Sequence, residues 1–249
     1  MLIPTASSGQ NIAAAASSFN PETDITWHSL WWAEGTAMAA LGLSNGASVT
    51  TWPNETTETD ATGTSITYVA SSGVLNSQPS VANTTGYLTT TNFSVAPSFA
   101  SGLSVVMIPG PDTHGNNTSA HALCDGNGSS VRVYALQQAT TGYWGVYRGA
   151  TSLFGTNATN DAGLTVIYCV SATGNTSLIR NGTTVAGPGS SGVSGLAGVT
   201  LLNNKDKATA TAWTGEMALY GIYEGNITAD GEYANFKSWI LSYYGITVA

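Results

Sequence analysis

The sequence predicts an all-β sandwich or jelly roll closed by one C-terminal helix. Three observations predict it. Short apolar runs recur along the chain with turn residues between them, which is the rhythm of a sandwich. Two of these runs, residues 103–108 and 164–170, are almost continuously apolar, broken only by Ser104 and Thr165, as strands covered on both faces are. Only near the end does the spacing become helical, through Tyr233, Phe236, Ile240, Tyr243 and Tyr244.

Residues 1–25 are rich in Ala and Ser and have no apolar periodicity. They read either as a disordered tail or as an arm that docks on a partner. The expected folded domain is 26–249. Residues 47–52 alternate with period 2, ending at Trp52, and predict a strand. A polar acidic loop holding Glu55, Glu58 and Asp60 follows, then a strand candidate at 65–69. Residues 80–82 and 86–89 read as two short strands around a turn. Pro109-Gly110-Pro111 stops the buried run at 103–108.

Hairpin chemistry then repeats. Asp125-Gly126-Asn127-Gly128 lies between strand candidates at 120–124 and 130–136. Gly149 separates 143–147 from 151–154, and Asn181-Gly182 separates 176–180 from 184–186. Gly and Asn adopt positive φ at low cost, and Asn-Gly is the strongest short hairpin signal. Residues 199–202 and 215–223 supply two more strands. The helix is expected at about 229–244, with Thr228 as N-cap and Gly245 as its stop.

Composition limits function. Charged residues are 8% of 249, with six Lys and Arg against fourteen Asp and Glu, for a formal net charge of -8. Typical globular proteins carry about 25% charged residues. No basic stripe exists to neutralise phosphates, so nucleic acid is not an expected partner. No run of about 20 apolar residues is present, so membrane insertion is not expected either. The N-terminus lacks the basic n-region of a signal peptide. Composition suited to the outside of a cell, without a signal, is expected of a protein exported on an assembled particle. Cys124 and Cys169 sit in apolar runs, as two buried thiols or as a disulfide between strands.

The motifs line up in order: Leu30-Trp31-Trp32-Ala33; Gly46, Val49, Trp52 and Asn54; Gln78-Pro79-Ser80-Val81; Tyr87-Leu88; Ser177-Leu178-Ile179-Arg180-Asn181-Gly182 with Val185; and Trp213-Thr214-Gly215-Glu216-Met217-Ala218, leading to Tyr223, Ile227 and Tyr243-Tyr244-Gly245. Over residues 27–249 this resembles the concanavalin A-like jelly rolls of the laminin-G-like type found in bacterial surface proteins and phage virion proteins. The resemblance implies a concanavalin A-like jelly-roll β-sandwich with one C-terminal α-helix, acting as a binding or structural module. Trp52 and Trp213, large apolar side chains near strand ends, are the expected core anchors.

Within that group the chain resembles a phage structural protein: a capsid decoration protein, head fibre or minor tail protein. This implies a non-enzymatic virion component, multicopy or homo-oligomeric, with capsid or tail proteins as partners. The resemblance also implies calcium at one rim, for which the candidates are Asp112, Asp125, Asn127 and Asp161. A plain hairpin turn is the other reading of Asp125 and Asn127. A glycan-binding module is the alternative function. Tyr143, Trp144 and Tyr147 are its candidate stacking platform, unless strand alternation buries some of them.

Enzyme chemistry finds little support. Jelly-roll glucanases carry Glu-x-Asp-x-x-Glu on one strand; no such string occurs, and Glu55, Glu58 and Asp60 are the nearest cluster. No Gly-x-Ser-x-Gly elbow accompanies His28, His114 or His121. His114 and His121 lack a Cys pair at zinc spacing.

Overall fold

Alternation inside the buried runs builds the layers. Every residue of Leu103–Pro109 is buried, yet Val105 and Met107 enter one apolar cluster while Val106 and Ile108 enter another. Successive strand residues point to opposite faces, so this strand must be covered twice. The computed structural model describes residues 19–113, 119–128, 132–149, 151–156, 158–170, 175–190 and 195–249.

The strands are β1 (Ser29–Trp32), β2 (Thr51–Trp52), β3 (Ala61–Val69), β4 (Ser80–Thr89), β5 (Leu103–Pro109), β6 (His121–Gly126) and β7 (Val133–Gln137). They continue as β8 (Trp144–Arg148), β9 (Thr151–Phe154), β10 (Thr165–Cys169), β11 (Asn175–Arg180), β12 (Thr183–Ser190), β13 (Val199–Leu201) and β14 (Gly215–Glu224). The helices are α1 (Pro21–Asp24), α2 (Thr36–Ala39) and α3 (Tyr233–Tyr244).

The hydrogen-bonded order is β12-β11-β10-β5-β14-β4-β13-β6-β7-β8-β9, with β3 on β4, β2 on β3 and β1 on β14. All pairings between these strands are antiparallel. Strand β14 links the layers: Gly215, Glu216 and Met217 pair with β4, and the rest runs between β5 and β1. The far ends of the path also meet, with β9 against β12 and β8 against β11. There Gly155 passes so close to the Val185 carbonyl that a Cβ would overlap it. This is the all-β sandwich with a closing helix that the patterning predicts.

The inner cluster between the layers holds Trp31, Trp52, Trp144, Trp213 and Tyr220, all fully buried. Trp52 and Trp213 are therefore the core anchors expected. The second cluster lies between the β5-β14-β1 layer and α3, which contributes Phe236, Trp239, Ile240 and Tyr244. Burying a side chain of this size contributes roughly 1.5–3 kcal/mol. Trp239 stacks on Phe236 at 5.7 Å and Trp32 donates its indole N–H to the Tyr244 hydroxyl at 3.1 Å.

Local differences from the sequence expectation have local causes. Residues 80–89 form one strand, with Thr84 and Thr85 looped out and the Asn83 amide closing the gap onto Gly86. Residues 47–52 run along β3, with backbone hydrogen bonds at Ala47, Val49 and Thr50 and a bridge at Ser48, and only Thr51 and Trp52 form the regular strand β2. The helix starts at Tyr233 rather than 229. Asn226 caps a separate 3-10 turn, Ile227–Ala229, accepting from the Thr228 N–H at 3.1 Å. Asp230 is extended and accepts from the Glu232 N–H at 2.7 Å and the Tyr223 hydroxyl at 2.5 Å. Thr228 is therefore not the N-cap; Gly245, in the left-handed region at φ 69°, is the stop. Asn181 and Gly182, at φ 48° and 84°, form the expected tight hairpin.

The expected domain boundary at residue 26 also moves. Phe19 and Ile25 are buried in the helix-side cluster, and Phe19 meets Phe236 at 5.9 Å and Trp239 at 6.1 Å. Residues 19–25 thus belong to the folded domain; the rest of the expected arm, 1–18, lies outside the described residues.

Cys124 and Cys169 are free and buried in the inner cluster, the first of the two sequence readings. Burial pushes the Cys124 thiol up to about 12 and the Cys169 thiol up to about 11.

Two outcomes follow from this packing. Phe19→Ala is expected to cost about 3 kcal/mol, as core Phe→Ala changes do. Urea unfolding measures it, and a loss below about 1 kcal/mol would place Phe19 outside the core. The thiols bind their protons more tightly folded than unfolded, so their contribution is complete below about pH 9 and is lost as pH rises toward the folded values. The slope is about 1.4 kcal/mol per pH unit for each thiol. Between pH 9 and 10, the stability of Cys124→Ala should fall less steeply than that of wild type; equal slopes would refute the assignment.

Candidate functional site

The start of β6 and the β7–β8 connection, with the chain after β5 and the chain before β10, surround a cleft of about 140 Å³ at one rim of the sandwich. Asp112, His121 and Gln137 are buried at its base; Thr140, Thr141 and Asn160 are exposed around its mouth. The sequence assembles it simply. Pro109-Gly110-Pro111 ends β5 and delivers Asp112, while His121 opens β6 opposite Gln137 at the end of β7.

Each group is held by partners. The Asp112 carboxylate contacts the His121 ring at Nδ1 and accepts from the Thr214 N–H at 3.1 Å. Asn160 and Asp112 exchange two hydrogen bonds, Asn160 Nδ2 donating to the Asp112 carbonyl at 2.8 Å and the Asp112 N–H donating to Asn160 Oδ1 at 3.1 Å. The turn after β7 is pinned by the Gln138 N–H to the Tyr143 carbonyl at 2.8 Å and by Thr141 Oγ1 to Gln138 Oε1 at 2.9 Å. Thr140 and Gly142 sit at φ 63° and 66° to make it. The cleft is therefore preformed, small and polar, with hydroxyl, amide and carboxylate groups at one concave place. That suits a small hydroxyl-rich ligand better than the larger, mostly apolar pockets that hold drug-sized molecules.

The expected aromatic platform does not form. Alternation along β8 turns Trp144 inward, 0% exposed, against Trp213 at 5.6 Å and beneath Arg180 at 4.4 Å. Tyr143 stays half-buried beside the cleft turn. Tyr147 points outward and joins Tyr134 at 5.3 Å and Phe154 at 5.8 Å.

The four calcium candidates are not brought together. Asp125 lies in β6 itself, not in a turn, fully buried. It accepts from Arg132 Nε at 2.7 Å and Nη2 at 2.5 Å, and from the Gly126 and Lys205 N–H groups at 2.7 and 2.9 Å. Burial pushes this carboxyl up, and those donors pull it back. His121 and Asp125 stand at opposite ends of β6, about 13 Å apart at 3.3 Å per residue, so Asp112 and Asp125 cannot share an ion. Asn127 donates to the Thr91 carbonyl and Asn92, and Asp161 is exposed and paired with Arg180 at 3.3 Å. Among the described residues, no group of three or more His, Cys, Asp or Glu is arranged to hold a metal.

The acidic loop residues each accept backbone hydrogen bonds. Glu55 accepts from the Ala37 and Met38 N–H groups at 2.7 and 3.3 Å, Glu58 from Ser94 at 2.8 Å, and Asp60 from Asn54 at 2.9 Å. His28 contacts the Val95 carbonyl and Ser29; His114 lies outside the described residues. Sequence reasoning missed His121, Gln137 and Asn160 as neighbours of Asp112. The available signal was the pair Asp112 and His121 flanking one polar loop between two apolar strands.

No family model matches the sequence, and no curated protein matches it. Solved structures do. Trypanosoma rangeli sialidase in complex with the inhibitor DANA is similar with a TM-score of 0.55 at 11% identity, over 93% of this chain and 36% of that one. The same sialidase with 2,3-difluorosialic acid, a covalent intermediate, gives 0.55 at 13% identity over 80% and 32%. The chain spans about a third of the length of these sialidase chains, and at this identity the likeness concerns the fold.

The Asp125 network carries a prediction. Asp125→Ala leaves Arg132 mostly buried without its carboxylate, and such changes cost about 3–5 kcal/mol. Denaturant unfolding should show that loss, and a change within about 0.5 kcal/mol would mean the pair is immaterial to stability.

Proposed function

We propose that the protein is a non-catalytic glycan-binding module whose ligand site is the rim cleft. The observation that carries this reading is the preformed polar pocket over the Asp112–His121 pair, with Gln137, Thr141 and Asn160 around it. Side chains of this kind recognise sugars by hydrogen bonds, donating and accepting at neighbouring hydroxyls. The fold is compatible with a sugar-binding role, since the similar structures are sialidases matched over about a third of their length, although a shared fold does not by itself assign function. The engagement of Glu55, Glu58 and Asp60 in separate backbone contacts supports the non-catalytic part.

Attachment to a virion, in many copies and beside capsid or tail proteins, belongs to this proposal as its setting. The sparse charge and the family resemblance support it. Peptide mass spectrometry of purified particles tests it, and absence from them would remove it.

Ala158→Trp tests the site. Ala158 is exposed on the cleft wall, so the indole fills the space without removing a hydrogen bond. On a glycan array followed by calorimetry, affinity for any bound glycan should fall roughly tenfold or more, about 1.4 kcal/mol, with an unchanged melting temperature. Unaltered binding would move the site elsewhere.

A further inference from the structure

We infer that the rim cleft selects neutral sugars and rejects acidic ones. The inference rests on the glycan reading above and names the ligand class of that site.

A carboxylate, sulfate or phosphate on a sugar needs a cation or a cluster of N–H donors to replace its hydration. The chain has six Lys and Arg, and each is engaged elsewhere. Arg132 is bound to Asp125. Arg148 is fully buried, donates to the Val170 carbonyl at 2.7 Å and lies over Phe99. Arg180 donates to the Asp161 carbonyl and lies over Trp144. Lys205 pairs with Asp206, Lys207 lies over Tyr87, and Lys237 donates to the Ala249 carbonyl. None of the six lines the cleft.

Among the described residues, the ionisable groups that line it are Asp112 and His121, in contact with each other. With the carboxylate ionised, the pair has no net charge if the imidazole is protonated and one negative charge if it is not. Neither state carries a net positive charge. The whole chain, at -8, repels an anion at long range. What the cleft offers instead is a carboxylate acceptor, amides and hydroxyls, which match sugar hydroxyl and acetamido groups.

The test is calorimetry on matched pairs: galacto-oligosaccharides against oligogalacturonates, and lactose against sialyllactose. A companion variant, Thr140→Lys, places a cation at the exposed mouth. The neutral member of at least one pair should bind wild type roughly tenfold tighter than its acidic partner, and Thr140→Lys should narrow that gap in a salt-sensitive way. Equal or tighter binding of the acidic member by wild type would overturn the selectivity and leave the glycan reading standing. No binding of any sugar in the pairs or across a broad array would overturn the glycan reading itself, and this inference with it.

Discussion

The structure depends on one constraint: β5 and β14 are apolar on both faces and must be covered on both. Val105, Met107, Tyr220 and Ile222 serve the inner cluster, and Val106, Ile108, Ala218 and Leu219 serve the helix-side cluster. The register shift between Met217 and Leu219 places Ala218 and Leu219 on the same side. A bulge of this kind re-aims a strand, and it falls where β14 leaves β4 for the position between β5 and β1. Helix α3 and the segment from Phe19 to Ile25 then supply the second cover. Remove that cover and an apolar sheet face opens to water.

Scarcity of charge shapes the rest. With few ionisable groups, several of those present are tied down by short-range partners. Asp125 holds Arg132 over the Tyr134 ring at 4.6 Å, and Glu55 closes the first turn of α2. The rim cleft follows the same rule, since Asp112 joins the ends of three segments through Thr214, His121 and Asn160. These contacts fix the three segments to one another, the arrangement that lowers the ordering cost of binding in the function proposed above.

Much of the fold was legible because it rests on local signals. Period-2 runs marked the strands, Asn181-Gly182 marked a hairpin, and Gly245 marked the end of the helix. The misreadings occurred where a side chain satisfied backbone groups that a simple pattern leaves unassigned. Asn83 carried β4 through an apparent turn, and Asn226 with Asp230 delayed the helix. Phe19 was missed because a single aromatic in an Ala/Ser stretch has no periodicity; its burial depends on Phe236 and Trp239, more than two hundred residues away.

The candidate site was less legible. Asp112 was picked out, but as a calcium ligand; its partners His121 and Asn160 come from other segments. By itself the sequence determined an antiparallel β fold with a terminal helix, a charge-poor, net acidic composition and the absence of a glucanase carboxylate string, because these are properties of composition and near-neighbour spacing. Tertiary structure alone decided that Trp144 is core while Tyr147 is surface, that Asp125 serves Arg132, and that Asp112, His121, Gln137 and Asn160 share one cleft. The physical reason is that inward or outward facing depends on strand register, and convergence depends on which strand ends the sheet topology brings together.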